Sequence, residues 1–319
     1  MTSLMGKQVL LVTAASFLLT ASASTLAASS RGGPSVCWLE TSASTMDAAM
    51  GGTGIRETPV WNSTISSILV RHPKGDVLID TGFGRTAEAQ MSELPEAGRA
   101  FGLQIVSGAK DRTSIVDTLA TVGEAPPNIA RILITHAHYD HLGGAAELTA
   151  PIYVADAEAT WLAGQATHPT ITPPSLVAAV QPRLKSLTYS SGAYLGFQSS
   201  YDIYGDGAIV VVPLPGHTPG SQGVFLKLGR RSVLLLGDAA DMLEAAVRGL
   251  PKNAAIRAAT DDNPQQADAQ TKRISDFHRA HPEVALIPAH DRDAYAAVLG
   301  RPSTCVTGFI EPPVNTEGK

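Results

Sequence analysis

No long run of lysine and arginine occurs in the chain, and its net charge is −5. That balance does not favour a surface built for nucleic acid or for anionic lipid. Cysteine is nearly absent: Cys37 and Cys305 are the two, and neither sits in a Cys-x-x-Cys pair that would read as a zinc or redox motif. No internal repeat of fixed short period is present, and 319 residues suffice for one large domain or two small ones. A membrane-length apolar run is missing too. The stretch Val9-Leu10-Leu11-Val12, continuing through Phe17-Leu18-Leu19, is short for an anchor.

What that stretch does have is the layout of a secretory signal. Lys7 precedes it, Ala21-Ser22-Ala23 follows in an A-x-A pattern, and no cysteine stands at a lipid-attachment position. Residues 1–28 are therefore read as a signal peptide, cleaved somewhere from residue 23 to residue 28. The mature protein is expected to be exported, periplasmic or secreted, with no stable membrane anchor. For an exported chain the two cysteines leave two readings open. One is a disulfide joining the mature N-terminus to the C-terminal region; the other is two buried or unpaired thiols.

Residues 29–62, rich in Gly, Ser, Ala and Thr, are read as an N-terminal arm, and residues 63–319 as a single domain. A hairpin is expected from Ile65–Arg71 through the turn Pro73-Lys74-Gly75-Asp76 to Val77–Asp80. Ile115, Val116, Leu119 and Val122 form a helical stripe, with Ser114 and Asp117 as a capping box. Strands are expected at Arg131–Thr135, Ile152–Ala155, Ala208–Val212, Val224–Leu228, Ser232–Leu236 and Val284–Ile287, and Asn263-Pro264 opens a helix to about Ala280. Residues 83–111 read as a loop with helical pieces, and residues 164–207 as a lid or substrate loop. The order fits a layered α/β sandwich better than a helical bundle.

The chemistry lies in His136-Ala137-His138-Tyr139-Asp140-His141, directly after the apolar run Ile132-Leu133-Ile134. Four candidate metal ligands in six residues suit a borderline divalent ion such as zinc. No packing need explains them, because each polar side chain would need its own partner in an apolar surround. His217, Asp238 and His290 each follow the end of another apolar strand, and strand ends converge in α/β sheets. The ligand arithmetic then works for two ions. His136, His138 and His217 serve one; Asp140, His141 and His290 serve the other; Asp238 bridges both. Each ion keeps an open position for a shared hydroxide, which marks a catalytic rather than a structural site.

The run His136-x-His138-x-Asp140-His141, then Gly143-Gly144, His217, Asp238 and His290, resembles the metallo-β-lactamase superfamily, as does Ile79-Asp80-Thr81-Gly82. The resemblance spans residues 65 to 291. It implies an α/β fold of the four-layer αββα sandwich type, with two Zn2+ or other divalent transition metals at one edge, and Asp80 orienting a ligand histidine. The segments around His217, Asp238 and His290 look most like the N-acyl-homoserine lactonase branch. They imply an exported di-zinc hydrolase whose partner is a small-molecule substrate, a lactone or related carboxylic ester. In that reading Asp140 passes a proton to the leaving oxygen. Those lactonases commonly carry a tyrosine three residues past the bridging aspartate, where this chain has Asp241. Tyr189, Tyr194, Tyr201 and Tyr204 are the candidates to replace it, whereas Tyr139 is expected to pack or line the pocket. The alternatives are an organophosphate triester hydrolase on the same site, a β-lactamase, or an iron-dependent sulfur dioxygenase. The bridging Asp238 disfavours the β-lactamase, and the full second ligand set disfavours the dioxygenase.

Overall fold

A computed structural model describes residues 34–310. The signal-peptide reading falls on residues outside that range. Strands β1 (Ser35–Asp47), β2 (Val60–Arg71), β3 (Asp76–Ile79), β4 (Ile129–Leu133), β5 (Ile152–Ala155) and β6 (Leu184–Leu187) lie in one sheet. Strands β7 (Tyr201–Asp202), β8 (Ile209–Pro213), β9 (Gln222–Leu228), β10 (Arg231–Leu235) and β11 (Val284–Ile287) form a second. The last strand, β12 (Thr304–Val306), returns to the first sheet, whose order is β12-β1-β2-β3-β4-β5-β6; the second runs β11-β10-β9-β8-β7.

Three apolar clusters show how the layers stack. Ile68, Val70, Val77, Ile79 and Leu133 of the first sheet meet Ile209, Val211, Val224 and Val233 of the second. The opposite face of the first sheet packs on helical residues such as Val106, Ile115, Leu119, Leu162 and Val177. The outer face of the second sheet packs on Ile274 and Phe277 of the helix Pro264–Ala280. Helices, sheet, sheet, helices is the four-layer order. Alternate residues of β2 and β3 serve different clusters, as the twofold period of a strand requires. The run Ile132, Leu133 and Ile134 is at most 1% exposed, and burying each side chain contributes about 1.5–3 kcal/mol.

Most sequence-derived elements are where they were expected. The helix Pro264–Ala280 is capped by Asn263, whose side chain accepts from Gln266 N. Ser114 accepts from Asp117 N to start the helix Ile115–Thr121. Two expectations fail. Residues 34–62 are not an arm: β1 and the start of β2 lie within them, and β1 pairs with the whole of β2 over twelve registered positions, with a bulge between Glu40 and Ser42. Much of β1 is buried despite its small polar residues, and its apolar period is too weak to read as a strand. Residues 164–207 are not a loop throughout, since they hold the helix Pro174–Val180, β6 and β7.

Cys37 and Cys305 form a disulfide, closing 268 residues and tying β12 to β1 at directly paired positions. No helix among the described residues is long and apolar enough to cross a membrane.

Candidate metal centre

Every residue of the expected ligand set lies just past the C-terminal end of a strand. The motif 136–141 follows β4, His217 follows β8, Asp238 follows β10 and His290 follows β11. β3 and β4 run parallel in one sheet, and β10 and β11 run parallel in the other. Their ends deliver polar side chains from both sheets to one edge of the sandwich. Burial of the strands fixes the positions at which the backbone leaves the core.

Three groups of side chains could each hold a metal ion: His136, His138 and His217; His136, His141 and Asp238; and Asp140, His141 and His290. In the first, His217 Nε2 stands 3.1 Å from His136 Nε2 and 3.0 Å from His138 Nδ1. In the last, His290 Nε2 is 3.3 Å from His141 Nε2 and 3.5 Å from Asp140 Oδ2. Asp238 reaches both: Oδ2 lies 3.4 Å from His217 Nε2 and 3.1 Å from His290 Nε2, and Oδ1 lies 3.2 Å from His141 Nε2.

The outer nitrogens explain why the inner ones converge. His141 Nδ1 donates to Asp80 Oδ2 at 2.9 Å, His217 Nδ1 to Asp261 Oδ1 at 2.7 Å, and His290 Nδ1 to the Thr64 carbonyl at 2.9 Å. Each of these bonds leaves the Nε2 lone pair facing the centre. Nitrogens that face one another with lone pairs repel unless a cation lies between them. A tetrahedral ion with bonds of about 2.0–2.1 Å holds its ligands roughly 3.3 Å apart, so this donor set fits divalent metal.

Asp80 holds its position against backbone strain. It adopts a left-handed φ of 54°, a conformation that costs an ordinary residue of order 1 kcal/mol. Its carboxylate accepts from Thr135 N at 2.7 Å and Thr135 Oγ1 at 2.8 Å as well as from His141. Gly82, two residues on, has φ 67°, and a Cβ there would stand 2.3 Å from Thr41 Oγ1. Only glycine lets this turn close against β1.

Burial, and then the neighbouring histidines, push His136 and His138 well below the ordinary imidazole value. Burial acts the same way on His290, yet Asp238 and Asp140 overcome it and hold His290 up to about 9. Asp238 is driven well below the usual carboxylate range; burial opposes this, and His290, His141 and His136 outweigh it. Tyr139 is pushed well up by burial and then by Asp140 and Asp238, so its phenol stays protonated near neutral pH and is available as a hydrogen-bond donor.

Asp140, Asp238 and His290 open onto a cavity of about 280 Å3. Its walls include Met46, Trp61 and Ile65 from the β1–β2 hairpin and Phe101 and Ile105 from the helix Glu96–Gly108. Residues 83–111 thus shape the pocket, as expected. Tyr139 does line it while stacking on Phe83, with ring centroids 5.8 Å apart. None of Tyr189, Tyr194, Tyr201 and Tyr204 does. Tyr189 donates to Gln222, Tyr194 packs on Phe225, Tyr201 packs between the sheets, and Tyr204 stacks on His72.

Two polar residues beside His217 escaped sequence reasoning. Lys252 Nζ lies 2.9 Å from His217 Nδ1, 3.2 Å from Asp261 Oδ1 and 3.5 Å from Asp241 Oδ1, and is almost fully buried. Lys252 and Asp241 therefore stand as an ion pair where the lactonase pattern has a tyrosine. Asp261 sits beside the conspicuous Asn263-Pro264 helix start, and only its distance to His217 reveals it.

Such a fold, with histidines and aspartates gathered at one edge of two sheets, defines a metal-dependent hydrolase. The sequence profile of the metallo-β-lactamase superfamily matches residues 61–290, and the chain belongs to that superfamily. A probable metallo-hydrolase of Mycobacterium tuberculosis is 29% identical over 246 residues, covering 72% of this chain and 74% of that one. The N-acyl homoserine lactonase AttM of Agrobacterium fabrum is 25% identical over 238 residues, covering 72% and 82% respectively. Among solved structures, an AiiA mutant of B. thuringiensis with N-decanoyl-L-homoserine bound at its active site shares the fold. It aligns with TM-score 0.59 at 21% identity, over 81% of this chain and 94% of that one.

Proposed function

We propose that the protein hydrolyses a lactone or related carboxylic ester at a two-zinc centre. The observation that carries this reading is the pair of ligand groups joined by Asp238 at the floor of an apolar cavity. The similarity to named lactonases supports the substrate class. His136, His138 and His217 would hold one ion, Asp140, His141 and His290 the other, with Asp238 between them. When bound, such a pair lowers the pKa of a water and stabilises the oxyanion that forms during acyl transfer.

The chain's own residues supply the rest. Asp140 is the half-buried carboxylate of the set and borders the cavity, so it takes the proton released as water attacks and returns it to the leaving oxygen. Tyr139, still protonated, can donate to a substrate oxygen but cannot act as the base. The apolar walls bind the acyl or aryl part and keep bulk water away from the reacting carbonyl.

A phosphotriester is the second reading. Asp241 replaces the tyrosine expected of a lactonase, and no other tyrosine but Tyr139 reaches the cavity. The test offers purified, zinc-loaded protein acyl-homoserine lactones, aryl esters and a phosphotriester. Turnover of the first two above the third is the expected result; preference for the third would select the second reading. No turnover of any, with metal content verified, would sink both.

We further propose that the protein acts outside the cytoplasm. The signal-like start supports this, and so does the disulfide, since such bonds persist in oxidising compartments. Expression in a bacterial host followed by fractionation should place the shortened chain outside the inner membrane. Retention of the full-length chain in the cytosol would contradict it.

A further inference from the structure

We propose that Glu158 is a positioning residue for the three-histidine half of the centre, its carboxylate locking the loop that carries His136 and His138 to the loop that carries His217. The inference rests on the two-metal reading above. Glu158 lies in the first turn of the helix Asp156–Gln165, touches none of the proposed ligands' ring nitrogens, and is 0% exposed. Its Oε1 accepts from the backbone N–H of Ala137, the residue between the two histidines, at 2.6 Å. Its Oε2 accepts from Thr218 Oγ1 at 2.7 Å and from Gly220 N at 3.0 Å, on the far side of His217. One buried carboxylate therefore ties together two loops from different sheets, through three donors.

The surroundings make this a fitted joint. The carbonyl of Ala137 is held separately by Thr172 Oγ1 at 2.6 Å, so both backbone polar groups of this residue are fixed. A Cβ on Gly220 would stand 2.2 Å from Glu158 N, so the two chains approach as closely as glycine allows. The ring nitrogens of His136, His138 and His217 depend on the relative placement of these loops, and metal ligands must be held to within about 0.5 Å to bind well. The other half has a different clamp, Asp80 on Thr135 and His141. Loss of Glu158 should therefore be felt by one ion and not by the other.

The test uses the full chain and zinc as the probe, measured by chelator competition at neutral pH. Two single-site backgrounds separate the halves: His290→Ala leaves the three-histidine half, and His217→Ala leaves the half built on Asp140, His141 and His290. Glu158→Gln keeps the shape but turns an amide N–H toward a donor. It should weaken zinc about 10–100-fold in the first background, the range expected for a lost outer partner, and less than about twofold in the second. Thr218→Val deletes one of the three bonds and should act in the same direction with a smaller effect; it carries the comparison if Glu158→Gln does not fold. Equal weakening in both backgrounds, or none in the first, would overturn the proposal. A wild-type chain that binds no zinc would instead overturn the two-metal reading, and this inference with it.

Discussion

The two halves of the centre share Asp238 but sit in different surroundings. His136, His138 and His217 are at most 2% exposed, and Glu158, Asp261 and Lys252 surround them with buried charge. In the other half Asp140 and His290 border the cavity, with side chains 13% and 10% exposed. Of the first half only His138 lines that cavity, while in the second the Asp140 carboxylate and the His290 ring both do. The difference teaches that ligand count alone understates the site. The half with Asp140 and His290 places more of its side chains on the cavity wall than the half with His136, His138 and His217.

The most severe way to break this comparison is to remove what the halves share. Asp238→Ala should weaken both ions and lower kcat by about a thousandfold or more, since each metal's charge stabilisation is worth several kcal/mol. Steady-state kinetics with a metal count would show it; a normal rate with two ions retained would show that the halves work independently. Asp80→Asn is gentler and largely one-sided. It should weaken chiefly the ion held by Asp140, His141 and His290, by about 10–100-fold, and the other less, through Thr135 Oγ1 at 3.3 Å from His136 Nδ1, as seen in a zinc titration resolved into two steps.

Acid should also separate the halves. Metal-free His290 is held up to about 9, and His141 too is raised, because Asp238, Asp140 and Asp80 outweigh its burial. Both therefore carry protons at neutral pH that a metal must displace. In the buried half His136 and His138 are already neutral, and only His217 is raised. As pH falls below about 9, affinity should drop more steeply in the open half than in the buried one, because more of its ligands must release protons there. Isothermal titration at several pH values reads this directly, and equal slopes would erase the distinction. The smallest effect concerns the cavity wall. Phe101→Ala should raise KM several-fold, with kcat little changed, because it removes apolar contact made equally before and during reaction.

Much of this was legible in the sequence because the ligands are local and the strands are apolar. His136 to His141 fall in one short run, and Ile132, Leu133 and Ile134 announce the buried strand before them. His217, Asp238 and His290 could be placed because each follows a similar strand. What stayed hidden acts across space without a local pattern. Glu158 and Lys252 look like ordinary helix and loop charges until Ala137, Thr218 and Asp261 are seen beside them. β1 was missed because its serines and threonines satisfy a sheet that its weak hydrophobic period does not advertise. The four tyrosines of residues 189–204 failed as substrate contacts because sequence distance says nothing about which edge of the sandwich they occupy.

The central claim is tested most directly by a crystal structure of the zinc-loaded protein with anomalous data at the zinc edge. The account predicts two ions about 3.5–4 Å apart, one on His136 Nε2, His138 Nδ1 and His217 Nε2, the other on Asp140, His141 Nε2 and His290 Nε2, with Asp238 touching both. A single ion, or a second one bound away from Asp140, His141 and His290, would contradict it.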